Sequence, residues 1–241
     1  MTGKLNFISE TDLTELVQEV VEKIEAAVDK AEHDPHKNVV DPFSSLFEAT
    51  YFQMDLSQWL DKEKARQIQK SFQNAIGDFH QRVIGKVQGW EDLKVGHVAD
   101  LVNHEKKIIA EVKNKHNTTK GSDKVRIYDG LQSLLGRKEY WGYTAYYVEI
   151  ISKKPKRVNQ PFTPPDNTTR SRRVANESIR LVDGATFYSI ATGREDALRE
   201  LYVALPSYVA MCCESAHQYT ELDPAFHQLF DLAFGVDKRF P

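Results

Sequence analysis

Apolar positions recur at helical spacing through the first third of the chain and at strand spacing through its middle. Leu13, Leu16, Val17, Val20, Val21, Ile24 and Val28 follow a 3.6-residue period behind Ser9 or Thr11, either of which can cap a helix. Residues 31–45, with Pro35 and Pro42, read as a connection, and a short helical piece follows over 43–52. Asp55 suits the cap of the next segment. Ala65, Ile68, Phe72, Ala75, Ile76, Phe79, Val83 and Ile84 then predict a long helix over 62–87, with Gly85 and Gly89 marking its end. Residues 90–95, 98–102 and 108–113 read as three strands. Residues 122–135 read as a helix with Ile127, Leu131, Leu134 and Leu135 on one side and Gly136 as its stop. The aromatic and branched run 140–152 is a fourth strand. Residues 155–169 hold four prolines and read as a loop. Residues 179–182 and 185–191, joined by Asp183-Gly184, read as a hairpin. A helix over 196–205 is interrupted by Pro206, and two more follow over 207–217 and 224–234.

The order helix, three strands, helix, strand predicts an α/β fold: a central mixed β-sheet flanked by helices, with additional N- and C-terminal helices. Nothing in composition marks an interdomain linker. The chain therefore reads as one domain over 1–241, with an N-terminal helical part to residue 62, a core over 63–205 and C-terminal helices over 206–241.

The third strand changes the picture from fold to chemistry. Side chains alternate across a strand, so Ile108, Ala110 and Val112 can pack in a core while Glu111 and Lys113 share the opposite face. Asp100, from the neighbouring strand, would bring a second carboxylate beside them. This D…ExK order suits metal-assisted phosphodiester hydrolysis. Mg²⁺ takes oxygen ligands and keeps several waters, and Asp100 and Glu111 would supply two of those ligands. Lys113 would orient or deprotonate the attacking water and help neutralise the charge that develops on the phosphate. A Glu and a Lys two apart also describe a solvated surface pair. The carboxylates here interrupt apolar runs, and the residues that follow (Asn114, Lys115, His116, Asn117, Thr118) are dense in donors, which favours the chemical reading and makes Lys115, His116, Asn117 and Lys120 candidate DNA contacts.

Composition mostly excludes. The chain has 241 residues, 41% hydrophobic and 28% charged, the balance of a soluble globular protein. No stretch is long and apolar enough to span a membrane, and the N-terminal sequence lacks the apolar region of a secretory signal, so a cytoplasmic protein without membrane contact is expected. The two cysteines, Cys212 and Cys213, are adjacent and offer no metal-binding spacing. No HExxH, Walker or nucleophile-elbow pattern is present. The net charge of −3 hides a local excess: Lys153, Lys154, Lys156, Arg157, Arg170, Arg172, Arg173 and Arg180 face only Asp166 and Glu177 in the same segment. The lysines suit phosphates, and the forks of Arg170, Arg172 or Arg173 suit guanine edges in double-stranded DNA. On the long helix, Asp78 is a candidate third carboxylate. His80 and the tyrosine-rich run 140–147 read as packing rather than DNA contacts.

These residues carry a resemblance. GDFHQ at 77–81, ADLVN at 99–103, IIAEVKNKHNT at 108–118 and VDGATFYSIATGREDALRELYVALP at 182–206 resemble type II restriction endonucleases of the PD-(D/E)xK superfamily, within it the SinI-like enzymes that cut GGNCC or GGWCC. The resemblance spans much of the chain from the long helix onward and leaves residues 1–62 unmatched. Ala99 stands where the superfamily name has proline. By position, Asp100, Glu111 and Lys113 match the metal-binding and catalytic residues, with the Val112 carbonyl as a further metal ligand. The resemblance implies a PD-(D/E)xK core, Mg²⁺-dependent double-strand cleavage that leaves 5′-phosphate and 3′-hydroxyl ends, a homodimer on a palindrome and a cognate DNA methyltransferase as functional partner. The alternatives are a repair or structure-specific nuclease of the same fold and a DNA-binding protein that keeps the fold without the chemistry.

Overall fold

The computed structural model describes residues 5–33, 40–94, 96–166, 168–213, 216 and 221–235. Val95 of the first expected strand, Pro35 of the expected connection, Asn167 of the proline-rich loop and residues 214, 215 and 217 of one expected helix lie outside them.

The chain begins with α1 (Glu10–His33), whose cap is Ser9: its Oγ accepts from the Asp12 amide at 3.0 Å. Then come α2 (Pro42–Tyr51) and α3 (Leu56–Gly85). Asp55 caps α3 in a reciprocal box with Gln58, which starts the helix six residues earlier than the apolar period indicates. A sheet follows, built from β1 (Glu91–Asp92), β2 (Leu101–Asn103), β3 (Ile108–Lys115), β4 (Thr144–Ile151), β5 (Asn159–Pro161) and β8 (Ile179–Asp183). Its order is β1-β2-β3-β4-β8-β5. β3, β4 and β8 run parallel at the centre, and the outer pairings are antiparallel. A two-stranded hairpin, β6 (Pro165–Asp166) with β7 (Ser171–Arg172), stands apart from the sheet. α4 (Gly121–Leu135) links β3 to β4, and α5 (Gly184–Thr192), α6 (Ala197–Cys212) and α7 (Pro224–Phe234) complete the fold. The expected mixed sheet flanked by helices is therefore present.

The sheet has a core on each face. Ile108, Ala110 and Val112 of β3 pack with Phe79, Val83 and Ile84 of α3, with Leu13, Leu16 and Val17 of α1 and with residues of α5 and α6. Ile109, on the other face, packs with Tyr128, Leu131 and Leu134 of α4 and with Tyr147 and Phe162. The tyrosines 143, 146 and 147 are core residues, as the sequence indicates, although Trp141 is exposed.

Several elements differ from expectation. The run 140–152 is a strand only from Thr144; a 3-10 turn over Lys138–Tyr140 precedes it. Residues 155–169 carry two short strands, β5 and β6, among their prolines. β2 begins at Leu101, and residues 96–100 bend rather than extend. Residues 179–191 form β8 followed by α5, not a hairpin. Asp183 is the cap of α5, accepting from the Thr186 amide at 3.0 Å. Gly184 answers a close approach, since a Cβ there would lie 2.6 Å from the Ile150 carbonyl oxygen. α6 runs on through Pro206 to Cys212 instead of stopping.

Candidate active site

β3 delivers Glu111 and Lys113 to the face that α4 covers, because their neighbours Ala110 and Val112 are locked into the opposite core. Asp100 comes from the bend just before β2, where its amide donates to the Ala110 carbonyl at 2.9 Å and its Oδ2 accepts from the Val112 amide at 2.7 Å. The backbone beside Glu111 and Lys113 thus fixes the Asp100 carboxylate. Gly130 on α4 helps, because a Cβ there would lie 2.7 Å from Val98 Cγ1, in the segment leading to Asp100.

Lys113 Nζ lies 2.6 Å from Glu111 Oε1 and 3.7 Å from Asp100 Oδ2. The three side chains are half-buried to buried, with Glu111 the deepest at 11% exposure. Burial first, and the Asp100 charge second, push the Glu111 carboxyl up to about 7, against the pull of the Lys113 ammonium. Burial pulls the Lys113 ammonium down, but the two carboxylates outweigh it and hold its pKa above the ordinary lysine value. A cleft of about 550 Å³ opens over Glu111 and Lys113, walled by Thr118, Thr119, Asp123, Arg126 and Ile127.

Asp78 does not join this group. It lies on the α1 side of α3, 3.1 Å from Lys23 and 64% exposed, whereas the cleft is on the opposite sheet face. Among the described residues no cluster of three or more His, Cys, Asp and Glu side chains is placed to hold a metal. The donor set is two carboxylates, Asp100 and Glu111, with the Val112 carbonyl between Glu111 and Lys113. That set fits Mg²⁺, which is commonly held by one or two carboxylates while keeping its waters and substrate oxygens. It also fits electrostatically, since a second anion beside Asp100 ionises more readily with added positive charge nearby.

The chain matches the family model described as Eco47II restriction endonuclease over residues 5–213. It is 45% identical over 237 residues to the type II restriction enzyme Eco47II of Escherichia coli, covering 96% of this chain and 99% of that protein. It is 32% identical over 212 residues to the type II restriction enzyme Sau96I of Staphylococcus aureus, covering 86% and 80%. The chain belongs to the Eco47II restriction endonuclease family. It is thus a type II restriction endonuclease, which sets aside the repair-nuclease and inactive-binder alternatives.

Around the cleft of this Eco47II-family enzyme, the expected DNA-contacting residues fall into two groups. Lys115, His116, Asn117 and Lys120 form the end of β3 and the turn into α4. The His116 amide donates to the Ile151 carbonyl at 3.0 Å, which places this turn beside the end of β4, from which exposed Lys153 and Lys156 follow. The β6–β7 hairpin forms the second group. Arg170 and Arg172 are exposed on it, and Arg170 takes a left-handed φ of 51° near its tip. Arg173 is already engaged as a fork with Asp129 of α4, at 2.9 and 2.7 Å, with Asp166 at 3.3 Å. It anchors the hairpin to α4 rather than reaching outward. Arg180 is similarly held by Glu177 and Asn159.

His80 is a packing residue, as the sequence indicates: it bonds the Tyr188 hydroxyl at 2.9 Å, and burial pushes it down to about 4.

One pair escaped the sequence reading. Glu149 of β4 stands in register with Lys113 and is buried at 5% exposure. Lys124 of α4 lies 2.5 Å from its Oε1, donates to the His116 carbonyl at 2.9 Å and sits 5.5 Å from the Tyr147 ring centroid. Lys124 therefore clips the turn after β3 to β4. The signal was present in YYVEII, a carboxylate interrupting an apolar strand, as Glu111 does in IIAEVK.

Proposed function

We propose that this enzyme cuts both strands of DNA at a short palindrome, GGNCC or GGWCC, with Mg²⁺ as cofactor and Asp100, Glu111 and Lys113 as its catalytic residues. The observation that carries the reading is the convergence of two carboxylates on one ammonium, at 3.7 and 2.6 Å, from a strand and the bend beside it. In this reading the fold is a PD-(D/E)xK core spanning residues 63–205 of a single domain, with helical additions before and after it.

Asp100, Glu111 and the Val112 carbonyl would hold the metal. Bound Mg²⁺ would neutralise charge on the phosphodiester and make a neighbouring water a better nucleophile. Lys113, kept as an ammonium by its carboxylate neighbours, donates to the attacking water and to the phosphate oxygen on which charge develops. Attack in line with the 3′ oxygen leaves a 5′-phosphate and a 3′-hydroxyl. A palindrome matches two copies of the chain, each cutting one strand. A methyltransferase acting on the same sequence would protect the host's own DNA.

Digestion of a sequenced plasmid with Mg²⁺, followed by sequencing of the fragment ends, tests this reading. Discrete fragments ending within GGNCC or GGWCC are expected. Ends scattered over unrelated sequences would refute the assigned site, and discrete ends at another motif would replace it.

A further inference from the structure

α2 presents a problem of stability. A ten-residue helix is marginal alone in water and normally depends on burying an apolar face. α2 has no buried residue, and its contact with α3 is largely polar. Trp59 Nε1 donates to Glu48 Oε2 at 3.0 Å, Lys62 Nζ lies 2.5 Å from Glu48 Oε1, and the same ammonium sits 4.4 Å from the Phe52 ring centroid. The apolar residues of α2, Phe43, Leu46, Phe47 and Tyr51, recur at helical spacing on one stripe. With Phe52 and Leu56 they form a run of six large apolar side chains, each 58–80% exposed.

The size of this patch bears on what covers it. A buried aromatic side chain contributes roughly 150–250 Å². Six large side chains exposed to this degree therefore offer on the order of 800 Å², about one partner's share of a standard protein interface. That exceeds the few hundred Å² of contiguous apolar surface common on monomers.

We infer that α2 and the start of α3 form the two-fold contact between two copies of this chain. This deepens the proposal of paired cleavage at a palindrome and rests on it for the need of a second copy. The chemistry of the patch favours a self-contact. Glu48 is the one charged residue of α2 and is already neutralised by Lys62, so the patch meets no like charge when it faces its own image. It offers no cation of its own stripe to a phosphate, which argues against DNA as the occupant. Its position suits the role too. The part of α3 that packs on the sheet, Phe79 to Ile84, lies on the face opposite the cleft, and the patch sits toward the other end of the helix, clear of the residues that line the cleft. Gly77 of α3 comes within contact distance of Asn114 at the end of β3. The patch begins at Leu56, roughly 30 Å along the helix at 1.5 Å per residue. A second exposed apolar run, Phe226, Leu229 and Leu232 on α7, is smaller and lies beyond residues 5–213, which the family model spans.

The primary measurements need neither DNA nor metal. Sedimentation equilibrium of the full chain should show a dimer at micromolar concentration, and Phe47→Glu should weaken self-association at least 100-fold. Because Phe47 is 78% exposed, the variant should keep the circular dichroism and melting temperature of the wild type. In a second arm, Phe47→Cys should give a covalent dimer with a short bismaleimide, with wild type as the control for Cys212 and Cys213. Undiminished dimerisation of Phe47→Glu overturns the inference. So does a dimer in which Phe47→Cys cannot be linked, or a wild-type chain that remains monomeric both free and on cognate duplex. A dimer sensitive to Phe47→Glu that makes no double-strand cut at a palindrome would sustain the interface and sink the paired-cleavage reading. Site-specific cutting by a chain indifferent to Phe47→Glu would do the reverse.

Discussion

The Val112 amide donates to Asp100 Oδ2 at 2.7 Å, so the residue between Glu111 and Lys113 is tied to the carboxylate that faces them. This bond gives Asp100 two separable jobs, accepting a structural hydrogen bond and presenting negative charge.

Asp100→Asn separates the two. The amide oxygen can still accept from Val112, while the charge is lost. Cleavage with Mg²⁺ should fall at least about 100-fold, the scale of losing one preorganised electrostatic group. The melting temperature should stay within a few degrees of wild type, whereas Asp100→Ala should lower both. Near-normal cutting by Asp100→Asn would remove its charge from the chemistry.

Lys113 lies 2.6 Å from Glu111, and its ammonium opposes the burial that raises that carboxyl. Lys113→Ala should slow the chemical step by about 10²-fold or more in single-turnover reactions on saturating DNA. An effect confined to DNA affinity, with an unchanged cleavage rate, would make Lys113 a binding residue only.

These two halves of the candidate site were legible as neighbours because β3 obeys the period of two so strictly. Three apolar residues inward leave Glu111 and Lys113 no other face. Asp100 followed from its place beside that strand, even though it sits on a bend rather than within the strand. Other features were hidden because local sequence does not report tertiary approach. Asp183-Gly184 satisfies the preferences of a tight turn as well as those of a helix cap, and the closeness of Ile150 to Gly184 exists only in the fold. Pro206 ends a helix by local rules, yet α6 continues because Ala204, Tyr208 and Ala210 are buried on both sides of it. The missing amide leaves part of the helix ladder open there, and Ser207 Oγ donates to the Ala204 carbonyl at 2.8 Å. Asp78 looked available because the pattern does not tell which sheet face α3 covers. Lys124 could not be assigned to Glu149 for the same reason, 25 residues apart on different elements.

The Lys124–Glu149 pair, with side chains 20% and 6% exposed, carries the next prediction. Removing one partner of a buried pair commonly costs about 3–5 kcal/mol, because the other charge is stranded. Lys124→Met should therefore lose roughly that much in urea unfolding, and Lys124→Met with Glu149→Leu should recover a large part of it. The single variant should also lose cleavage, since the turn at His116 is freed from β4. A double variant no more stable than the single would show that the pair is not the stabilising unit.

His80 sets a pH dependence of stability. Its pKa in the fold, about 4, is below the ordinary 6.5, so the unfolded chain binds a proton that the folded chain refuses between these values. Its contribution is fully present above about pH 6.5, is lost as pH falls toward 4, and levels off below. The loss should be on the order of 1–3 kcal/mol. His80→Gln retains a partner for the Tyr188 hydroxyl and cannot titrate, so it should flatten this part of the stability profile. Equal slopes for both proteins between pH 4 and 6.5 would exclude His80 as the source.

The remaining prediction divides the work of the arginines and lysines. Arg173 is held in a fork by Asp129 and touches Asp166, while among the described residues the exposed Arg172 side chain bonds only Thr163 Oγ1, at 3.4 Å. An arginine with its fork already filled cannot also grip a guanine edge without giving up that partner. Arg173→Ala should therefore loosen the hairpin from α4, lower the melting temperature and weaken cognate binding as a secondary effect. Arg172→Ala should leave stability alone and cost roughly 1–3 kcal/mol on the cognate site, with little change on random DNA. Lys156→Ala should weaken both DNAs alike and reduce the salt slope by about one, the signature of a lost phosphate contact. Titrating the three variants on both DNAs across salt, alongside thermal melts, separates the cases. Wild-type binding by Arg172→Ala at every salt would move base readout away from this residue, toward Arg170 or the donor-rich turn from Lys115 to Lys120. Wild-type melting of Arg173→Ala would show that the fork to Asp129 is not what holds the hairpin in place.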